Sequence, residues 1–586
     1  MPGQEENIMS EEAQNTAGSV KTMIRNFIIL LAVSIGVGTA GVHFQIFNPG
    51  QATAVSVFLG IILGTLFFWN FRLAIAFLGL AVLVCTNALN IPTFVKSSSL
   101  EVILFLVGMM IIVGALRDLG FFTWIVQLIV SMPDISGKKF IAVTATASAL
   151  LACAVDEVTS IIFISTLVFQ VCDRLKLNPV PYILICVLAT NVGSAGTMMG
   201  NPVGIYIGTK GGLTFGDFML YSFPIMLIAL AATIAFTIWF FRKDLKQFDI
   251  NLADRLARNL SLAPVVEVPY KQGLVLLIFT IVIISLHHPL ENLLGIAKNS
   301  VLIMAPLVCS GIVMILRPNR ARDYVEREVD WWTLIFFMLL FAVAGTLEHT
   351  HVDQIMARYF SQVCGSDIHT LVPFILFSSA IGSAFVDNVI FVAAFSPVIE
   401  QLAVTIKDFP LWWALLFGAC FGGNITMIGS TANIVALGML EKRAPSNMTF
   451  FQWFKIGSAA SLIACGIAWG LLLLLSPLMP DRTVPVKGSQ LDRTFAGKLV
   501  TLEVISAEAV NNSPVVRENS NIYALHIKGA KVPVYAAVPR NSALITKILE
   551  KSAESRFFEG KLHSSGCGKF RILDLKTIHT EKSSAH

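Results

Sequence analysis

The chain has 586 residues, 55% of them hydrophobic and only 13% charged, with 42 Lys plus Arg against 37 Asp plus Glu for a formal charge of +5. A mean hydropathy of +0.74 excludes an ordinary soluble domain, and so small a charge excess gives no footprint for nucleic acid. Apolar runs of about 17 to 25 residues, enough to cross roughly 30 Å of hydrocarbon, recur from Met23 to Pro477 and define an all-α polytopic membrane protein.

Residues 1–22 read as a polar N-terminal tail. The first apolar run, "FIILLAVSIGVGTAG", has further spans close behind it and no small-residue cleavage site, so it reads as a transmembrane helix rather than a signal sequence. Helices are expected at 24–44, 52–68, 73–89 and 100–117. Lys21 and Arg25 place the N-terminus in the cytoplasm, and Arg117, Lys138 and Lys139 bring the chain back there. The segment 139–173 carries Asp156 and Glu157 at its middle and ends at Arg174 and Lys176, again cytoplasmic. It is expected to enter and return as a re-entrant hairpin with "VDEVTS" at its tip near mid-bilayer, where irregular backbone survives only beside a cavity or inside protein. Spans at 180–209 and 217–241 complete a first membrane repeat, 23–241, and a charged cytoplasmic linker follows at 242–271. Spans at 272–287, 300–316 and 331–349, a second hairpin, a span that carries "GGNITMIGSTAN" and a last span at 453–477 make a second repeat, 272–477. Eleven spans in all set residues 481–586 outside the cytoplasm.

Three blocks recur about 230 residues apart in the same order. "VILFLVGMMIIVGAL" from Val102 matches "TLIFFMLLFAVAGTL" from Thr333. "ACAVDEVTSIIFISTLV" matches "GSAFVDNVIFVAAFSPV", aligning Asp156 with Asp387 and Glu157 with Asn388. "NVGSAGTMMGNPVGI" from Asn191 falls without gaps on "CFGGNITMIGSTANI" from Cys420, pairing Thr197 with Thr426 and Gly200 with Gly429. The charge count gives the two copies opposite orientations, an inverted repeat whose axis lies in the membrane plane, as secondary transporters use for alternating access.

A carboxylate in hydrocarbon costs on the order of 3 kcal/mol even on lenient scales, so Asp156 and Asp387 are expected to face a cavity, a cation or a proton. The competing explanation is that each caps the following helix, worth about 1 kcal/mol. The cation- or proton-binding candidates are Asp156, Glu157, Thr159, Asp387 and Asn388. The Gly-rich stretches read as broken helices whose freed carbonyls, hydroxyls and amides can hold an ion or substrate. There the candidates are Asn191, Gly193, Ser194, Thr197, Asn201, Gly423, Asn424, Thr426, Ser430 and Asn433, with sodium, a hard cation that takes oxygen ligands, expected at the same residues. Close packing through small residues is the competing explanation here.

These four stretches, "VDEVTS" with "NVGSAGTMMGNP" and "FVDNV" with "LWWALLFGACFGGNITMIGSTANIVALG", resemble the ion transporter superfamily over residues 25–477. The resemblance is to its branch of arsenite pumps, sodium/proton antiporters and the melanosomal P-protein, with a citrate-transporter-like domain. It implies two inverted repeats of five helices plus a hairpin, a homodimer through a scaffold domain, and elevator-like movement. Relatives that carry dicarboxylates have a Ser-Asn-Thr pattern at the hairpin tips, and this chain departs from it with Asp156, Glu157, Asp387 and Asn388. Two negative charges about 4 Å apart at an effective dielectric of 20 repel by about 4 kcal/mol, which favours a cation at the tips. A proton and sodium competing for the same oxygens amount to antiport.

Sodium/proton exchange across the plasma (inner) membrane is therefore the expected activity, with lipid and a small ion as partners and no cofactor beyond the coupling ion. The alternatives are sodium- or proton-coupled transport of citrate, a dicarboxylate or an oxyanion such as arsenite, in which Ser194, Thr197, Asn424 and Thr426 hold the anion, and a channel or receptor. No nucleophile and base pair, phosphate loop or metal-ligand cluster points to catalysis, and "EHTH" at Glu348–His351 reads as a solvated loop. Nine singly spaced cysteines read as small hydrophobes in packing positions. From Asp481 on there are 16 Lys plus Arg against 10 Asp plus Glu. The alternating runs "GKLVTLEVI", "IYALHIKG", "VPVYAAV" and "GKFRILDL" suggest a small β-rich, OB-like domain, with "SALITKILEKSAESRF" as a helix.

Overall fold

A computed structural model describes residues 2–257, 269–296, 299–364, 367–403, 407–443 and 448–480, and in the tail 484–486, 499–504, 506–509, 520–527, 533–539, 556–564 and 571–579. Its contacts define two compact units. One comprises Met1–Gln362, Pro373–Val398 and Ala414–Leu471, and the other Val363–Val372, Ile399–Trp413 and Leu472–His586.

Helices α1 (Pro2–His43), α2 (Pro49–Phe67), α3 (Arg72–Cys85) and α4 (Ile91–Ser97) lead into a first series: α5 (Leu100–Asp118), α6 (Phe121–Val130), α7 (Gly137–Ala154), α8 (Glu157–Leu175), α9 (Val180–Gly193) and α10 (Pro202–Lys210). A short turn, α11 (Phe215–Asp217), and α12 (Phe223–Phe240) close it. Next come α13 (Arg242–Ala257), α14 (Lys271–Ser285), α15 (His287–Leu294), α16 (Ser300–Leu316) and α17 (Pro318–Asp323). The second series is α18 (Trp331–His349), α19 (Val352–Cys364), α20 (Ile368–Phe385), α21 (Asn388–Ala403), α22 (Phe409–Gly422) and α23 (Thr431–Arg443), followed by α24 (Phe450–Leu475).

The two series have the same helix spacing. Trp331, Val352, Ile368 and Asn388 each start a helix 231 residues after its counterpart in the first series, and Phe409 and Thr431 do so after 229. The two-residue slip falls in the α8–α9 and α21–α22 connections, so hairpins and breaks keep their internal register.

Among the described residues nine helices are long and apolar enough to span a membrane, and ten if α14 and α15, bent by 59°, count as one. The difference from the eleven spans expected has two sources. Residues 73–89 stop being helical at Cys85, 180–209 divides into α9 and α10 as its counterpart divides into α22 and α23, and α14 and α16 are each shorter than a span, while α7, α8 and α20 are themselves of span length. At 1.5 Å per residue α7 is about 27 Å long, so these arms are not short re-entrant stubs.

Two further segments differ from the sequence expectation. The first 22 residues are not a separate tail in their backbone, because α1 is continuous from Pro2. The linker 242–271 is helical in its first half, since Leu245, Phe248 and Leu252 form a buried stripe at helical spacing. That stripe sets α13 across the ends of neighbouring helices. Asp249 Oδ1 accepts from Gly137 N (2.6 Å), Asn251 Nδ2 donates to Leu175 O (2.8 Å), and Tyr182 Oη donates to Asp244 O (2.9 Å). Glu348–His351 closes α18, with His351 in the left-handed region (φ 61°), and among the described residues no three His, Cys, Asp or Glu are grouped to hold a metal.

Close approach of backbones decides two glycines. A Cβ on Gly193 would lie 2.4 Å from Ala149 Cα, and one on Gly422 would lie 2.3 Å from Ala380 Cα. Each pins the middle of α7 or α20 against the end of the helix that breaks.

In the second unit, seven strands form one sheet: β1 (Val484–Val486), β2 (Leu499–Val504), β3 (Ser506–Ala509), β4 (Ser520–His526), β5 (Val534–Pro539), β6 (Arg556–Ser564) and β7 (Arg571–His579). Their order is β1-β2-β6-β7-β5-β4-β3, with β1·β2 and β5·β7 parallel and the other pairs antiparallel. Leu502 and Val504, Tyr523 and Leu525, and Val534, Ala536 and Val538 are buried with period two. The helix expected at 542–557 lies almost wholly outside the described residues.

Gly193→Ala and Gly422→Ala are each expected to destabilise the detergent-solubilised protein by about 1–3 kcal/mol through overpacking against backbone. Gly438→Ala, in α23 with nothing within 4 Å of the added carbon, is expected to leave the thermal midpoint unchanged or slightly higher. Equal midpoints for all three variants would contradict the packing.

Candidate functional site

Both aspartates at the hairpin tips cap helices. Asp156 is extended (φ −172°, ψ 163°), and its Oδ1 accepts from Thr159 N at 2.7 Å, closing the first turn of α8. Asp387 Oδ1 accepts from Val389 N at 2.9 Å, while Oδ2 accepts from Thr431 Oγ1 at 3.2 Å. Thr159 is thus part of the cap. Glu157, the first residue of α8, is 7% exposed. Its Oε1 accepts from Ser430 Oγ at 3.4 Å, and its Oε2 has no hydrogen-bond partner among the described residues. Ser430 and Thr431 are adjacent, so one break touches a carboxylate from each tip. Glu157 also lies in the electrostatic field of both Asp156 and Asp387. Asn388, in the orientation that satisfies its surroundings, donates to Ala419 O (3.1 Å) and Gly429 O (2.8 Å) and contacts Ser383 Oγ.

The breaks between α9 and α10 and between α22 and α23 share one backbone path. Ser194 N donates to Thr190 O (2.9 Å), Gly196 N to Gly193 O (2.8 Å) and Gly200 N to Thr197 O (3.4 Å). The counterparts are Gly423 N to Ala419 O (3.2 Å), Ile425 N to Gly422 O (2.9 Å) and Gly429 N to Thr426 O (3.3 Å). Each break is tied to a hairpin at the same place: Thr197 Oγ1 donates to Cys153 O, and Thr426 Oγ1 donates to Ala384 O. Both threonines are expected ligands whose hydroxyl hydrogens are already committed to carbonyls freed at the ends of α7 and α20.

Asparagines join the two breaks. Asn191 Nδ2 donates to Asn424 Oδ1 and to Asn433 Oδ1, both at 2.8 Å. Asn433 Nδ2 donates to Gly423 O (2.8 Å) and Thr426 O (2.9 Å), and Asn424 Nδ2 to Leu188 O (3.2 Å). Asn191 Oδ1 is buried without a partner among the described residues. Asn201 caps α10 through Gly204 N (2.8 Å), and its Nδ2 donates to Ser194 Oγ (2.9 Å) and Cys420 Sγ (3.1 Å). Ser194 Oγ donates to Asn191 O at 3.0 Å. Apart from Asp156, which is half-buried and bonded only to its own cap, the expected residues of both tips and both breaks are buried and lie together. Two orphaned oxygens among them, Glu157 Oε2 and Asn191 Oδ1, are the kind of atom a cation or proton satisfies.

Several residues in this set were not expected. Thr431 and Ser383 bind tip side chains; Thr431 adjoins the candidate Ser430, and Ser383 lies four residues before Asp387. Cys153 and Cys420 are more than packing hydrophobes: Cys153 Sγ donates to Gly193 O at 2.8 Å, and Cys420 accepts from Asn201. Ser148 Oγ and Thr190 Oγ1 lie 2.6 Å apart where α7 meets α9.

The citrate transporter family, CitMHS, matches residues 62–418. An uncharacterised transporter of Mycobacterium tuberculosis is 32% identical over 372 residues, covering 63% of this chain and 84% of its own. The P protein of Homo sapiens is 23% identical over 446 residues, covering 64% of this chain and 53% of its own. Among solved structures, the YdaH transporter of Alcanivorax borkumensis matches with 14% identity and a TM-score of 0.46, covering 68% of this chain and 89% of its own. The chain belongs to the citrate transporter family: it is an integral membrane transporter, not an enzyme, and the family implies no cofactor.

Proposed function

We propose that this transporter exchanges sodium for protons, and that Glu157 is the carboxylate for which the two ions compete. The observation that supports this most directly is the buried Glu157 Oε2, which has no protein partner among the described residues and stands in the field of two further carboxylates. A buried carboxylate in hydrocarbon surroundings must be neutralised by a proton or a cation, and three acidic side chains together disfavour an anionic ligand. Asp156 and Asp387 serve first as caps that orient the tips. Asp387 Oδ2, Ser430, Ser194 and the carbonyls of the breaks complete a set of hard oxygen donors.

The matching helix spacing and the paired ties at Thr197 and Thr426 support two inverted repeats, at 23–241 and 272–477, with the tips meeting the breaks inside the membrane. In this arrangement the N-terminus is cytoplasmic, residues 481–586 are extracytoplasmic, and the protein works as a homodimer in the plasma membrane. The basic residues from Lys21 to Arg327 at span ends favour that orientation.

A second reading is cation-coupled uptake of citrate or another small carboxylate, which the name of the matched family favours. It must find ligands other than the hydroxyl hydrogens of Thr197 and Thr426, which are engaged with backbone, and other than the Asn424 amide, which is engaged on both sides.

In proteoliposomes a sodium gradient is expected to drive opposite proton movement. Glu157→Gln is expected to reduce exchange by about tenfold or more, as loss of a charge-assisted ligand worth about 1.5–3 kcal/mol implies. Full exchange in that variant would overturn the assignment. Because Asn caps as well as Asp, Asp156→Asn is expected to keep the thermal stability of the parent, whereas Asp156→Ala loses about 1 kcal/mol. Sodium-dependent uptake of labelled citrate without sodium-driven proton movement would decide for the second reading.

A further inference from the structure

Two groups of basic side chains among the described residues differ in how their charge is met. Around α17 and the end of α5, Arg117 pairs with Glu328 at 2.8 Å, Arg320 with Asp118 at 2.9 Å, Arg322 with Glu326 at 2.6 Å and Arg327 with Asp323 at 3.6 Å. That cluster neutralises itself. The second group begins where α12 ends. Arg242, Lys243 and Lys246 are exposed on the first two turns of α13, and none of them forms an ion pair among the described residues. Lys138, also exposed, is brought to them because the neighbouring Gly137 N is bonded to Asp249 Oδ1 on α13. Against these four charges stand Asp244 and Asp249, of which the second is engaged with Gly137 N, while Asp254 lies about 12 Å beyond Lys246 along the helix.

The place of this patch points to what meets it. The segment Phe215–Phe240 is long and apolar enough to cross a membrane, so α13 starts at the level of the phospholipid headgroups. Trp239, 63% exposed in the last turn of α12, is an aromatic of the kind that settles at that level. Ile250, 62% exposed, stands one turn beyond Lys246 on the same face, since residues four apart on a helix are neighbours. One stripe of α13, Leu245, Phe248 and Leu252, is covered by protein. The opposite face mixes unpaired cations with a bare isoleucine, which suits a surface that is anionic with hydrocarbon beneath it. A soluble anion would meet the charge and leave Ile250 in water.

We propose that Arg242, Lys243 and Lys246 bind the headgroups of anionic phospholipids, and that the bound lipid holds α13 against the first hairpin. The second part follows from the bonds α13 makes: to the foot of α7 through Asp249, to the foot of α8 through Asn251, and to α9 through Asp244 O and Tyr182. The inference is independent of which ion the transporter carries.

The test uses the full-length protein in micelles that contain equal amounts of phosphatidylglycerol and phosphatidylcholine, with the retained lipid read by native mass spectrometry. Phosphatidylglycerol is expected to be retained about fivefold or more over phosphatidylcholine. Lys243→Gln/Lys246→Gln is expected to lower that preference about fivefold or more. Arg322→Gln/Arg327→Gln, which removes the same charge from exposed positions of the self-neutralised group, is expected to keep it within about twofold. Amide exchange in α13 is expected to slow about threefold or more when phosphatidylglycerol replaces phosphatidylcholine. Equal retention of the two lipids, an equal loss of preference in both double variants, or amide exchange in α13 that ignores the lipid overturns the proposal. A thermal midpoint raised as much by inorganic phosphate as by phosphatidylglycerol at the same concentration marks a site for free anions and overturns it too.

Discussion

A helix that stops inside a membrane leaves carbonyls and amides that hydrocarbon cannot satisfy, and everything in the buried site follows from how that problem is solved. Four helix ends meet here: α7, α9, α20 and α22. The freed carbonyl of Cys153 is taken by Thr197, that of Ala384 by Thr426, those of Gly423 and Thr426 by the single amide of Asn433, and that of Asn424 by Trp453 Nε1 at 3.1 Å. Each solution reaches from one element to another, so satisfying the backbone also fixes how tips and breaks are spaced. The oxygens left without a partner are then few and specific, and a membrane interior makes such atoms expensive to leave so.

The site's location was legible because that constraint writes itself into composition. Gly, Asn, Ser and Thr recur in both breaks, and in an apolar chain they stand out as blocks repeated at a near-constant spacing. The roles within the site were less legible. Whether Asp156 caps a helix or meets an ion depends on one backbone torsion that its neighbours do not encode. Thr197 looks like a ligand in sequence and is a tie in space, because a hydroxyl serves either purpose. Thr431 and Cys420 acquire their contacts from chain segments more than forty residues away. The helix at 242–257 was hidden for another reason. Its mean composition is that of a charged linker, and only the phase of Leu245, Phe248 and Leu252 shows that one face is covered.

Membership of the citrate transporter family sets the class of activity. Asp156, Glu157 and Asp387 bring three acids to the buried set, and no Lys or Arg among the described residues makes direct contact with them there.

The strap formed by α13 carries a mechanical consequence. It grips Gly137 at the foot of α7, Leu175 at the foot of α8 and Tyr182 at the head of α9, and Arg255 Nη1 adds a bond to Arg174 O at 3.0 Å. Sliding of α7 past α8 would break these bonds together, so that mode is stiff. The first hairpin, α9 and α13 are therefore tied into one hydrogen-bonded group. Through α8 the strap's bond at Leu175 is joined to Glu157, some 18 residues away at the other end of that helix.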